Sequence, residues 1–313
     1  MELKRTEFSF ISEADGLEIS ALRIEPADAD NIRGIVQFVH GMTEYKERYI
    51  GIMEFLAEHG FLCTIHDHRG HGKSVKHESD LGFMYDAKYT GLVEDAHHMT
   101  LLTKKYSEER TGKKLPVLLA GHSMGSLVVR CYIKKYDADI DKLIVMGCPS
   151  KPAGSALGIP LVKVLEFFKG EKAKSTLMDK LSLGSFEKKF KHENLRGAWL
   201  NTDKEEVNKY NNHPLCGFSF TLNGYESLLK ATKETYNGKG YEMKNKNLPI
   251  RFLSGKDDPC GISEKAVNDA AAVLKKAGYT DVKVKLYDGM RHEILLAPDK
   301  HLVYEDILNF AEA

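Results

Sequence analysis

The chain has 313 residues, enough for one large domain or two ordinary ones and for a substantial core without disulfide or metal staples. Hydrophobic residues make up 42% and charged residues 29%, which excludes a disordered or membrane-spanning chain. The 45 basic residues equal the 45 acidic ones, so no global positive field gathers nucleic acid or anionic lipid.

The amino terminus, Met1-Glu2-Leu3-Lys4-Arg5-Thr6-Glu7, lacks a signal-peptide core, and no apolar run approaches the roughly 18 residues of a membrane span. Cys63, Cys131, Cys148, Cys216 and Cys260 are odd in number and form no Cys-x-x-Cys pair, which predicts reduced thiols in a cytoplasmic protein. Two strands, Glu7 to Ser12 and Leu17 to Arg23, flank Ala14-Asp15-Gly16, a hairpin signal. Gly34 to Val39 is a continuous apolar strand of the kind buried on both faces. Tyr49, Ile52, Met53 and Leu56 have helical spacing, with Gly60 where a left-handed cap belongs. There follow a strand at Phe61 to Ile65, a helix on Leu92, Ala96, Met99 and Leu102, and a strand at Val117 to Ala120. A helix from Met124 to Tyr136 and a strand from Ile140 to Met146 complete a βαβαβ order, which implies a mostly parallel sheet with helices on both faces.

The rhythm breaks from Pro149 to about Asn247. A structureless loop of that length does not suit a compact domain, so residues 149–248 are expected to form a largely helical cap inserted into a core of 1–148 and 249–313. Within it Leu161, Val164, Leu165 and Phe168 form an apolar helical stripe, which with Phe218, Phe220 and Tyr225 suits an acyl pocket. The strand Ile250 to Leu253, the helix Glu264 to Lys276, the strand Val282 to Tyr287 and a helix from about Pro298 resume the sheet pattern.

The strongest chemical signal is Gly121-His122-Ser123-Met124-Gly125, a G-x-S-x-G between a predicted strand and a predicted helix, which is the context a nucleophile elbow needs. Serine requires a base held by an acid. Strand ends further along supply both: Asp257-Asp258-Pro259 after Leu253, and Arg291-His292-Glu293 after Tyr287. Asp258 is favoured over Asp257 because Pro259 biases it to an extended backbone. Backbone donors for an oxyanion are expected from the Met124 amide and from Met42 in Val39-His40-Gly41-Met42-Thr43-Glu44.

Three other patterns fall away. Gly72-Lys73-Ser74 resembles the end of a phosphate-binding loop, but Asp67 stands where its first glycine belongs. His66-Asp67-His68-Arg69-Gly70-His71 has Gly70 where a dinuclear metal motif needs aspartate, so no metal is expected. Cys260 lacks an elbow and reads as a buried or pocket-lining thiol.

The segments His40 to Glu44, Asp67-His68-Arg69-Gly70-His71-Gly72-Lys73-Ser74, Gly121 to Gly125, Asp258-Pro259 and Arg291-His292-Glu293 resemble the α/β-hydrolase superfamily. More narrowly they are similar to its monoacylglycerol lipase and lysophospholipase-like branch, grouped with the serine aminopeptidase-like hydrolases. That resemblance implies a Ser123, Asp258, His292 triad, an oxyanion hole of Met42 and Met124 amides, no cofactor, and a small acyl-ester substrate bound beneath a cap where Leu161, Leu165, Phe168 and Phe218 are candidate contacts. The cap is also where transient contact with a membrane surface is expected. The rival readings are an amino-terminal peptidase, whose ammonium-binding acids would come from Glu193, Asp203, Glu205, Glu206 or Glu226, and a catalytically idle receptor or binding module of the same fold. Such peptidases typically carry tryptophan after the nucleophile, where this chain has Met124.

Overall fold

A computed structural model describes residues 1–151 and 155–313. Eight strands form one sheet: β1 (Leu3–Ile11), β2 (Glu18–Pro26), β3 (Gly34–Val39), β4 (Phe61–His66), β5 (Val117–His122), β6 (Lys142–Met146), β7 (Ile250–Gly255) and β8 (Val282–Tyr287). Their order is β1-β2-β4-β3-β5-β6-β7-β8. The strands from β3 to β8 run parallel, while β2 pairs antiparallel with both β1 and β4. The sheet is therefore the mostly parallel α/β-hydrolase architecture that the sequence implies.

Every residue of β3, β4 and β5 is buried, because helices cover both faces. The alternation of Cβ atoms sorts their side chains. Ile35, Val39, Leu119 and Val145 join the core beneath α2 (Lys88–Thr111), α3 (Met124–Tyr136) and α8 (Glu264–Ala277). Val36, Phe38, Ala120 and Ile144 join the opposite core beneath α1 (Ile50–Glu58) and α9 (Lys300–Glu312). The amino-terminal strand begins earlier than expected, at Leu3, since its first residues are polar and largely exposed at the sheet edge and carry little apolar signal. The hairpin turn is wider than a two-residue one: residues 12–17 form it, closed by the Gly16 N–H donating to the Ser12 carbonyl at 2.9 Å.

Between β6 and β7 the chain forms α4 (Ser155–Lys169), α5 (Thr176–Lys189), α6 (Lys204–Asn212) and α7 (Leu222–Thr235). Part of the expected cap, residues 152–154, lies outside the described residues. Side chains of Ser175, Asp203 and Thr221 cap the starts of α5, α6 and α7 by accepting first-turn N–H bonds. Helix α7 packs on α2, α3 and α4, and its Leu222 and Tyr225 join the core that lies under α3. A separate small cluster holds Phe190, Ala198, Trp199 and Leu200 together.

Candidate active site

Parallel strands all point their carboxyl ends one way, and that end of the sheet collects the chemistry. Ser123 sits between β5 and α3 with φ +53° and ψ −116°, a strained conformation for a residue bearing a side chain. The flanking glycines make that turn feasible. A Cβ on Gly125 would collide with the Val39 carbonyl, and one on Gly121 with the Gly125 carbonyl.

His292 follows β8 and Asp258 follows β7; both are buried. Ser123 Oγ lies 2.9 Å from His292 Nε2, and His292 Nδ1 lies 2.9 Å from Asp258 Oδ2. A carboxylate only accepts, so Nδ1 carries the proton and Nε2 is left to accept from the serine hydroxyl. The Cys260 N–H donates to the other oxygen, Asp258 Oδ1, at 2.8 Å, which orients the carboxyl group. Asp257 is exposed.

The Met42 and Met124 amides find no acceptor among the described residues. Both methionines line the same cavity as Ser123. The neighbouring Gly41 N–H is occupied, donating to Glu44 Oε1 at 2.6 Å.

Behind these groups lies a charged network that sequence reasoning missed. Arg48 Nη1 donates to Glu44 Oε2 at 2.8 Å and to Glu293 Oε1 at 2.7 Å, and the Tyr49 hydroxyl donates to Glu44 at 3.1 Å. His122 Nε2 donates to the His292 carbonyl at 3.0 Å while its Nδ1 faces Glu44 Oε1 at 3.4 Å. Burial works against charge on both partners, and their mutual contact works for it. The His122 hydrogen bond and the Arg48 charge hold the Glu44 carboxyl well below its usual range, and Glu44 in turn raises His122. The His122 ring thus clips the nucleophile turn to the backbone of His292. The i, i+4 spacing of Glu44 and Arg48 was the one available signal, but their partner Glu293 is remote in sequence.

The histidine-rich loop has a different character. His40 Nε2 accepts the His68 N–H at 2.9 Å, and His71 Nε2 accepts the Thr43 N–H at 3.1 Å. Asp67 accepts from the Lys46 ammonium at 2.8 Å and from the Lys73 N–H at 3.0 Å, so it closes its own loop. Burial lowers His40 and His66 to about 3 and His71 to about 4, and holds His68 well below its usual value. Asp258, Cys260 and His292 place ligating atoms within 4.8 Å of one another. Two of those three are already bonded to each other, and burial raises the Cys260 thiol well above its usual value.

A cavity of about 890 Å³ opens over Ser123. Its walls are mostly apolar, with Leu161 from α4, Met178 and Leu181 from α5, Leu228 and Leu229 from α7, and Trp199 beside His292. Of the expected cap contacts Leu161 lines this cavity, whereas Leu165, Phe168 and Phe218 do not. Leu165 is half-buried against the main core, Phe168 is 76% exposed, and Phe218 packs edge-on to His71. The reason is rotational: the polar stripe of α4 turns toward α7, where Lys163 pairs with Glu226, so part of the apolar stripe faces outward. Tyr225 does line the cavity, and Phe220 is buried beneath it.

Residues 30–299 match the model of a family described as serine aminopeptidase, S33. The chain belongs to this family. Among relatives of this S33 member, the monoacylglycerol lipase of Mycolicibacterium smegmatis is 25% identical, covering 89% of this chain and 88% of that protein. The monoglyceride lipase of Saccharomyces cerevisiae is also 25% identical, covering 90% and 83%. In three dimensions the S33 chain is similar to a thermostable carboxyl esterase from Bacillus coagulans solved with glycerol, with a TM-score of 0.89, 26% identity and 98% of each chain covered. The S33 member is a serine ester hydrolase with the α/β-hydrolase fold. Among its described residues no helix is long and apolar enough to cross a membrane.

Proposed function

We propose that this serine ester hydrolase cleaves monoacylglycerols and similar small lipid esters, lysophospholipids included, with Ser123, His292 and Asp258 as its triad. The observation that carries the reading is the hydrogen-bonded chain from Ser123 through His292 to Asp258, opening directly into an apolar cavity of about 890 Å³. That volume lies within the roughly 300–1,000 Å³ of small-molecule sites. Ser123 Oγ attacks the ester carbonyl as His292 Nε2 takes its proton, and the carbonyl oxygen, now negative, accepts from the Met42 and Met124 amides. Asp258 stabilises the imidazolium. His292 then protonates the departing alcohol and activates water to release the acid. Glu44 and Arg48 line the cavity as well and give the alcohol a polar wall.

Residues 149–248 act as the cap over this cavity. Its outer surface bears exposed Val164, Phe167 and Phe168 on α4 with Leu177 on α5, apolar side chains suited to transient contact with a lipid surface that delivers substrate, while exposed Leu157 and Leu181 turn to the cavity. Five buried, unpaired thiols support a cytoplasmic location. The peptidase reading is less well supported. Glu226 is bound by Lys88, Lys163 and Lys230, Glu193 by Arg291, and Glu206 by Lys209, while Asp203 caps α6.

The test is a hydrolysis profile over p-nitrophenyl esters of increasing length, monoacylglycerols, lysophospholipids and aminoacyl anilides, run with fluorophosphonate labelling of wild type and Ser123→Ala. Monoacylglycerol turnover and labelling that both vanish in Ser123→Ala are expected. Preferential cleavage of the anilides would establish the peptidase, and an unlabelled, inert wild type would establish a binding module.

A further inference from the structure

Thr43 adjoins Met42, and its backbone lies at φ +54°, a left-handed conformation that a β-branched residue strongly disfavours. Every polar atom of Thr43 is held. Its N–H donates to His71 Nε2 at 3.1 Å, its carbonyl accepts from the Gly217 N–H at 3.0 Å, and its Oγ1 shares a hydrogen bond with the Tyr210 hydroxyl at 2.7 Å. His71 belongs to the core, but Tyr210 is on α6 and Gly217 lies just beyond it. The same pair of segments meets again where Tyr45 stacks on His213 with ring centroids 4.3 Å apart and shares a 3.0 Å hydrogen bond with it.

These contacts bear on Met42. The peptide N–H groups on either side of it are pinned, Gly41 by Glu44 and Thr43 by His71, and the Met42 amide between them stays free. We propose that Thr43 and Tyr210 are positioning residues that hold the Met42 amide in its oxyanion-binding orientation, so that docking of α6 on the loop of residues 40–45 completes the oxyanion hole. The inference rests on the assignment of Ser123 as nucleophile and Met42 as donor. A disfavoured backbone conformation persists only where its surroundings over-determine it. Without the Tyr210 hydroxyl, Thr43 loses one of the three bonds that over-determine it, and partial relaxation toward negative φ tilts the Met42 N–H away from the developing charge. The intrinsic chemistry of Ser123 and His292 is untouched, because neither contacts Thr43 or Tyr210 through a hydrogen bond.

Tyr210→Phe and Thr43→Val each remove one hydroxyl with little change of shape. Each should lower kcat roughly tenfold, less than the 10²–10³-fold lost when an oxyanion donor is deleted. The loss should be equal for p-nitrophenyl acetate and decanoate, with KM unchanged. Inhibition by octylboronic acid, whose serine adduct is tetrahedral and anionic, should weaken by the same factor. The double variant should be no worse than either single one, and Thr43→Ser, which keeps the hydroxyl, should recover wild-type values. Wild-type kcat and boronate affinity in both single variants would overturn the proposal, as would a loss confined to decanoate, which would make Tyr210 part of the acyl wall. Should Tyr210→Phe fold poorly, the comparison of Thr43→Val with Thr43→Ser decides alone. Failure of the wild type to react with fluorophosphonate would instead refute the parent assignment.

Discussion

Asp257 and Asp258 are adjacent carboxylates in opposite surroundings, one in solvent and one buried between His292 Nδ1 and the Cys260 amide. Replacing Asp258 with Asn puts an N–H donor opposite Nδ1 and favours the wrong imidazole tautomer, so kcat should fall by about 10⁴-fold. Asp257→Asn should change kcat less than about threefold, since solvent-exposed substitutions perturb little. Steady-state kinetics on p-nitrophenyl butyrate would rank the two, and the opposite ranking would move the acid to Asp257. Ser123, Asp258 and His292 were legible because each stands at a strand end inside a short motif. His122, Glu44, Arg48 and Glu293 were not legible as a unit, because their partnership depends on bringing residues some 170 to 250 positions apart into contact.

At the scale of one element, α4 separates two properties that its sequence superimposes. Leu161 faces the cavity, Val162 and Leu165 face the main core, and Phe167 and Phe168 are 85% and 76% exposed. An apolar arc wider than the face a helix buries leaves side chains for another surface to cover. Leu161→Trp should therefore shorten the preferred acyl chain and leave acetyl ester hydrolysis nearly unchanged, as each methylene accommodated is worth about 1–3 kcal/mol. Phe168→Ser should do the reverse, preserving kinetics on soluble esters while reducing co-sedimentation with phospholipid vesicles. Equal loss on both esters in Leu161→Trp with a lowered Tm would mean that Leu161 is only a packing residue. Periodicity revealed that α4 exists and is apolar; its rotational phase was hidden because the polar stripe of Lys163 and Glu166 does not mark the solvent side: Lys163 pairs with Glu226 of α7 while Phe167 and Phe168 face outward.

Across the whole molecule, acid stability follows from four buried histidines. Unfolded histidine titrates near 6.5, whereas burial holds His40 and His66 at about 3, His71 at about 4 and His68 well below 6.5. Below pH 6.5 the unfolded chain therefore binds up to four more protons, each worth about 1.4 kcal/mol per pH unit. The stabilisation is complete above pH 6.5 and is lost as the pH falls toward 4. Glu44, held low, acts in the same direction at still lower pH. His122, raised, acts oppositely: its contribution is present below 6.5 and fades as the pH rises through its folded value. Urea midpoints should consequently drop steeply between pH 6.5 and pH 4.5, and a flat profile would refute the dominance of the four histidines over His122 and the raised Asp67 and Asp95 carboxyls, which act oppositely. His66→Leu should blunt that drop and stabilise by about 1 kcal/mol at pH 7, since neither ring nitrogen of His66 has a partner among the described residues.

The sequence alone determined what local chemistry dictates: the strand and helix order, the glycines that permit a strained serine, and the placement of an acid and a histidine after late strands. Those features are short-range, so they survive in one dimension. Tertiary structure decided what requires two distant segments to meet. Helix α7, expected within the inserted cap, packs on α2 and α3 and shares their core through Leu222 and Tyr225. Which face of α4 meets the cavity, which residues clip His122 to His292, and how α6 reaches Thr43 are likewise matters of packing. Hydrophobic burial is non-directional, so composition and spacing say that a segment is buried but leave its partners to the fold.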